Sequence, residues 1–209
     1  MLIVEQPNKI ELTLNHLFKD AKSDRFKIIK GLTKSIIRPM QPIDFKDVYL
    51  SISKEQGLDL VRLIKKNNLK NVVEFGTSFG ISTLFLAQGV KETGGSVITT
   101  ELIESKAIKA IENFEKAGVS NLVEVRIGDA METLKNHNEP IDLLLLDGWK
   151  DLYSPLFKML EPNFKAGTLI YVDNADMASS RAFLKTISQN KNYRLESKAE
   201  GKVVLILTK

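Results

Sequence analysis

From residue 53 onward the apolar positions of the chain switch repeatedly between two spacings. In "SKEQGLDLVRLIKKNN" (53–68), Leu58, Leu60, Val61, Leu63 and Ile64 gather on one helical face, and Ser53 with Gln56 makes a capping box that starts the helix. "NVVEFG" (71–76) then reads as a short buried strand. The order recurs: a helix from about Ile81 to Val90, strand "SVITTE" (96–101), a helix over 105–118, a strand in "LVEVRIGDA" (122–130) and a brief helix in "METLKNH" (131–137). Strand "IDLLLL" (141–146), a helix in "SPLFKMLEP" (154–162) and a strand in "GTLIYVDNAD" (167–176) complete it. Strand-then-helix repetition predicts an α/β fold: a parallel sheet with right-handed crossovers and helices on both faces. In such sheets ligands collect at the carboxyl ends of the strands.

The tail breaks this alternation. After a helix from about Met177 to Gln189, "NYRLESKAEGKVVLILTK" (192–209) offers two strand-like runs separated only by "AEG". So short a connection demands an antiparallel pair. The expectation is a seven-stranded, mostly parallel sheet with an antiparallel last strand. At the other end, "KIELTLNHLFKD" (9–20) and "DRFKIIKGLTKSIIR" (24–38) look helical and amphipathic, and "RPMQPID" (38–44) reads as a linker. The chain therefore divides into an N-terminal helical arm, residues 1–50, and one domain, residues 51–209, without internal repeats.

Composition narrows the chemistry. A chain of 209 residues with 43% hydrophobic content suits one domain with a sizeable core. Its apolar runs are too short to cross a bilayer and "MLIVEQPNKIEL" lacks the pattern of a secretion signal, so a soluble, cytoplasmic protein without a membrane partner is expected. The absence of cysteine excludes disulfides, thiolate nucleophiles and Cys-based zinc sites, and His16 and His137 stand in unrelated surroundings. A bound metal must then sit on oxygen ligands, which favours a hard ion such as magnesium. Residues 1–70 hold 14 Lys+Arg against 8 Asp+Glu, a surplus of +6 that invites a nucleic-acid reading. These basic residues are scattered with few aromatics among them, which fits a solvated helical face better.

The chemistry-bearing residues stand at the strand ends. In "VVEFGTSFGISTLFLA" (72–87), Glu74 lies near the end of a buried strand, and Gly76 and Gly80 bracket a tight turn into a helix whose free N–H groups point at the sheet edge. Their G-x-x-x-G spacing is not the dinucleotide fingerprint. Glu101, 21 residues after Gly80, closes the next strand, where a carboxylate can accept both hydroxyls of a ribose. Asp129 and Ala130 follow the third strand and would border an adenine. The fourth strand leaves its run of leucines through Asp147, Trp149 and Lys150, and the fifth ends in Asp173 and Asn174. Neighbouring parallel strands would place Asp147, Asp173 and Asn174 on one patch. Two carboxylates so close repel unless a cation or a proton joins them, and three oxygen donors leave room for water and substrate around magnesium. The plainer alternatives are that Asp173 and Asn174 cap the following helix and that Lys150 pairs on the surface with Asp151 or Glu161.

Together "VVEFGTSFGISTLFLA", Glu101, "GDAMETL", "DLLLLDGWKDLY" and "GTLIYVDN" resemble the S-adenosylmethionine-dependent O-methyltransferases of the catechol and caffeoyl-CoA type, over roughly Ser53 to Asn174. The resemblance implies a Rossmann-like methyltransferase sandwich. It implies that Glu74, Gly76, Thr77, Gly80 and Ser82 surround the methionine portion of S-adenosylmethionine, with Ile52 a further contact. Glu101 would hold the ribose, Asp129 and Ala130 would border the adenine, and Trp149 would cover one of its faces. Asp147 would serve both the cofactor's amino group and a divalent metal shared with Asp173 and Asn174, and Lys150 would be the general base, its ammonium form disfavoured beside a cation and a sulfonium.

The chain departs from the catechol enzyme in having Gly148 in place of a histidine, Met131 in place of a glutamine, and no clear counterpart of the glutamate that grips a catechol hydroxyl. A small hydroxylated aromatic acceptor is expected, with a homodimer compatible with the sequence. The competing classes are a nucleic-acid methyltransferase using the basic N-terminal region and a non-catalytic module that binds S-adenosylmethionine. "DGWK" in place of an Asn/Asp-Pro-Pro-aromatic loop argues against the first, and Lys150 with the acidic patch against the second.

Overall fold

The computed structural model describes residues 8–23, 41–48 and 51–209. The whole stretch read as a second N-terminal helix, 24–38, lies outside the described residues, as do residues 38–40 of the expected linker. Seven strands form one sheet: β1 Asn71–Phe75, β2 Ser96–Glu101, β3 Val123–Ile127, β4 Ile141–Leu146, β5 Phe164–Asp173, β6 Tyr193–Lys198 and β7 Val203–Thr208. Their order is β3-β2-β1-β4-β5-β7-β6. β1 to β5 pair in parallel, and β7 runs antiparallel to both β5 and β6. The short "AEG" connection is a turn in which Glu200 takes φ 56°, and it folds the last two strands back on each other as its length requires.

The helices among the described residues are α1 Lys9–Ser23, α2 Lys54–Asn67, α3 Ile81–Thr93, α4 Glu104–Ala117, α5 Ala130–Thr133, α6 Tyr153–Leu160 and α7 Ala178–Ser188. They cover the sheet on two sides because the strands alternate. Leu143 and Leu145 of β4 join Leu60 and Ile64 of α2, Leu84 and Leu86 of α3 and Phe114 of α4 in one core cluster. Leu144 and Leu146 point the other way, to Leu156 and Phe157 of α6 and Phe183 of α7. Every residue of β4 is buried, and each such leucine stabilises the fold by about 1.5 to 3 kcal/mol relative to exposure. α1 contributes Ile10, Leu14 and Leu17 to the first cluster, so this part of the N-terminal region packs onto the domain. No helix among the described residues is long and apolar enough to cross a membrane.

Two boundaries differ from the sequence expectation. β3 stops at Ile127 and α5 begins already at Ala130: Gly128 takes φ 127°, and the Asp129 carboxylate accepts the Met131 N–H at 2.9 Å as an N-cap. β5 begins at Phe164, before Gly167, because Thr168 Oγ1 donates to the Ile141 carbonyl at 2.7 Å and accepts from the Lys165 N–H, holding that stretch beside β4.

Candidate active site

The strand order reverses between β1 and β4, where the crossovers lead to opposite sides and leave a crevice at the carboxyl edge. The loop after β1 approaches the end of β4 closely. A Cβ at Gly76, which has φ 106°, would lie 2.8 Å from the Asp147 carbonyl oxygen, so only glycine fits there. The Asp147 N–H donates to the Phe75 carbonyl at 3.0 Å, extending the β1–β4 ladder by one rung. Asp147 thus stands fixed at the rim.

Beside it, β5 delivers Asp173, 5% exposed, one residue past the Leu146–Val172 pair that ends the β4–β5 ladder, so that its charge acts on Asp147. Burial first, then the Asp173 charge, pushes the Asp147 carboxyl well above the usual range; Glu74 adds to this and Lys150 opposes it. Two neighbouring carboxyl groups whose repulsion raises the pKa of one suit a divalent cation, which removes that repulsion. Asn174 follows with φ 50° and is half-buried. The capping alternative fails, because α7 has Met177 as its N-cap with no side-chain hydrogen bond there, while Asp173 Oδ1 accepts from Gln56 Nε2 at 2.6 Å.

Lys150 is turned inward. Its Nζ lies 3.8 Å from Asp147 Oδ1, donates to the Gly148 carbonyl at 2.9 Å and sits 5.5 Å from the ring centroid of Tyr153. The surface pairing with Asp151 or Glu161 is not formed: Asp151 accepts from Ser179 and Glu161 from Tyr193. The Tyr153 hydroxyl donates to the Leu146 carbonyl at 2.8 Å, bracing the end of β4 from below. Gly148 packs on Phe75, whose ring would be 2.5 Å from an added Cβ, which is the physical reason a histidine does not fit at this position.

On the other side of the crevice Glu74 is fully buried and burial raises its pKa, against hydrogen bonds from Ser82, Thr83 and Thr99. Thr83 and Thr99 both donate to Oε2, the latter at 2.6 Å, while Oε1 has no hydrogen-bond partner among the described residues. A buried acceptor oxygen without a donor fits a site that receives a polar ligand group. Thr77, 1% exposed, pairs its hydroxyl with that of Thr99, and Gly80 opens α3 with φ 89°. Glu101 accepts the N–H groups of Ser78 at 2.7 Å and Ile103 at 2.9 Å, which orient its carboxylate along the edge.

The remaining residues singled out from the sequence lie farther out or deeper. Asp129 is exposed with one oxygen committed to the cap of α5, and Ala130 is buried beneath it. Trp149 is half-buried against the second core cluster. Ile52, 2% exposed, has its side chain in the first core cluster. Sequence reasoning missed Gln56 as the partner of Asp173, Thr83 and Thr99 as the holders of Glu74, and Tyr153 as the brace. Of these only Gln56 carried a signal, as a member of the capping box.

Comparison with known proteins places the chain in a family. The family model described as O-methyltransferase matches residues 19–191. The chain is 29% identical over 171 residues to catechol O-methyltransferase of Niastella koreensis, covering 80% of this chain and 74% of that one. It is 33% identical over 126 residues to catechol O-methyltransferase of Mycobacterium tuberculosis, covering 60% of this chain and 57% of that one. The Bacillus cereus O-methyltransferase, solved in complex with S-adenosylhomocysteine, shares the fold with a TM-score of 0.71 at 22% identity, covering 100% of this chain and 94% of that one. The chain belongs to the O-methyltransferase family and is, by that membership, an S-adenosylmethionine-dependent O-methyltransferase.

Proposed function

We propose that this enzyme methylates a hydroxyl of a small, catechol-like aromatic acceptor, with Lys150 as general base and a divalent cation, magnesium in the first instance, held by Asp147, Asp173 and Asn174. The observation that carries the reading is the approach of the Asp147 and Asp173 carboxyls beside Lys150 Nζ, which lies 3.8 Å from Asp147 Oδ1. When bound, the cation would lower the pKa of a coordinated hydroxyl and S-adenosylmethionine would supply an electrophilic methyl group. Lys150 Nζ accepts the phenolic proton while the acceptor oxygen takes the methyl carbon and sulfur keeps the electron pair of the bond that breaks. A vicinal diol suits the site, because the three protein oxygens leave positions for two adjacent acceptor oxygens.

The cofactor is assigned to the β1 side of the crevice. Glu74, with its unpartnered Oε1, Gly76, Thr77, Gly80 and Ser82 line the methionine portion; Glu101 takes the ribose hydroxyls, Asp129 and Ala130 the adenine, and Trp149 one adenine face. Ile52 would contribute through its main chain, its side chain being packed in the core. Gly76 and Gly148 keep the backbone close at both walls, and the buried rim of β1, β4 and β5 excludes water from two groups of opposite charge that neutralise each other during transfer.

The test is methyl transfer to catechol, followed with and without magnesium. Transfer that collapses with a chelator, and falls about 100-fold or more in kcat in Lys150→Met while S-adenosylhomocysteine still binds, supports the reading. Equal rates with magnesium and with chelator would remove the metal from it, and an unchanged kcat in Lys150→Met would remove the base.

A further inference from the structure

Lys106 stands on the first turn of α4 with 4% of its surface exposed. Lysine is almost never this buried unless paired, yet no carboxylate among the described residues is in ion-pair contact with it. Its ammonium group instead donates to the Val48 carbonyl at 3.1 Å and to Ser78 Oγ at 3.4 Å, and lies 5.2 Å from the ring centroid of Phe79. One cation therefore joins α4, the segment 41–48 and the loop between β1 and α3. The joint sits directly behind Glu101. Ser78, which receives Lys106 on its side chain, donates its main-chain N–H to Glu101 Oε2 at 2.7 Å, and it holds φ 49°, a conformation costly for a residue with a side chain. Burial lowers the Lys106 pKa, and the nearby charges of Glu101 and Asp47 oppose that.

We propose that Lys106 is a positioning residue for the cofactor: by holding Ser78 in its left-handed conformation, it keeps the Glu101 carboxylate, which accepts the Ser78 N–H, aimed at the two ribose hydroxyls. The proposal rests on the reading that Glu101 receives the ribose. The cation is buried between the Val48 carbonyl and the Phe79 ring, so its attraction for Glu101 is weakly screened. A carboxylate hydrogen-bonded to two N–H groups retains lone pairs for two hydroxyl donors, and such charge-assisted bonds are about twice as strong as neutral ones. Lys106 touches no reacting atom; it acts through Ser78 and Glu101.

The experiment is calorimetric titration of the full chain with S-adenosylhomocysteine and with its 2′,3′-dideoxyribose counterpart. The expected result is that Lys106→Met weakens S-adenosylhomocysteine binding about tenfold, equivalent to about 1.4 kcal/mol, and leaves the dideoxy ligand unchanged. At saturating S-adenosylmethionine, kcat should stay within twofold of the parent. Ser78→Ala, which removes only the hydroxyl that receives the ammonium group, should repeat the pattern with a smaller loss and carries the test if Lys106→Met does not fold. Equal weakening of both ligands, or undiminished binding of S-adenosylhomocysteine, overturns the proposal. If the parent protein itself binds both ligands equally, the ribose assignment of Glu101 falls and the proposal falls with it, an outcome separable from a loss seen only in the variants.

Discussion

Gln56 Nε2 donates to Asp173 Oδ1 at 2.6 Å, joining the first turn of α2 to the last residue of β5 across 117 positions of sequence. The same amide closes the capping box, its Oε1 accepting the Ser53 N–H at 2.8 Å. One side chain thus sets both the start of a helix and the direction of a carboxylate. Gln56→Ala should lower stability to urea by about 1 to 2 kcal/mol through the lost cap and the orphaned Asp173 oxygen. Gln56→Glu keeps the cap acceptor but turns a carboxylate toward Asp173, so its stability loss at pH 7 should shrink on acidification. Urea midpoints at pH 5 and pH 7 distinguish the two variants.

The Asp147 pair makes stability depend on pH in a direction opposite to that of an ordinary ion-paired aspartate. The folded chain holds this proton more tightly than the unfolded chain, because burial and the Asp173 charge raise the pKa. The stabilising contribution of this group is therefore fully present below about pH 4, the unfolded value, and is lost as pH rises through the raised folded value. In chelator, Asp147→Asn should be more stable than the parent at pH 8 and show a flatter pH profile, while losing methyl transfer. Thermal melts across pH 5 to 8 read this; a steeper profile in the variant would contradict it.

His137 acts in the reverse sense. Burial, then the charge of Arg126, lowers its pKa, and its Nε2 is buried without a hydrogen-bond partner among the described residues. The neutral ring is favoured in the folded chain, so this contribution is present above about pH 6.5 and is lost as pH falls toward the lowered folded value. His137→Asn should lessen the loss of stability between pH 7 and pH 5, measured as the change in urea midpoint.

Gly148 faces the ring of Phe75 with no room for a methyl group. Gly148→Ala should cost about 1 to 3 kcal/mol by overpacking, and combining it with Phe75→Leu should recover part of that loss, a coupling that a double-mutant cycle would report.

The sheet was legible in the sequence because β4 and its neighbours are bounded by turns and long enough to fix their period, and because "AEG" is too short for anything but a reversal. The meeting of Asp147 and Asp173 follows from that topology, since both are strand-end residues on adjacent parallel strands. What was not legible depends on contacts far apart in sequence. Lys106, in "IESKAIKA", reads as one more solvated helix charge until Val48 and Ser78 are seen around it. Thr83 and Thr99 look like ordinary α3 and β2 residues, and only the distance between their hydroxyls and Glu74 shows that they hold an acid. The Ile52 side chain packs in the core, as an apolar residue preceding a helix does.

The antiparallel hairpin also bears on how the molecule is assembled. β6 reaches the sheet only through β7, which lies between it and β5, so the flank of β5 beside the acidic patch keeps its main-chain groups unpaired until both segments have been synthesised. A nascent chain that stalled near residue 190 would offer that bare flank to other polypeptides, and self-association, rather than simple loss of activity, is the expected fate of a product lacking residues 193–208.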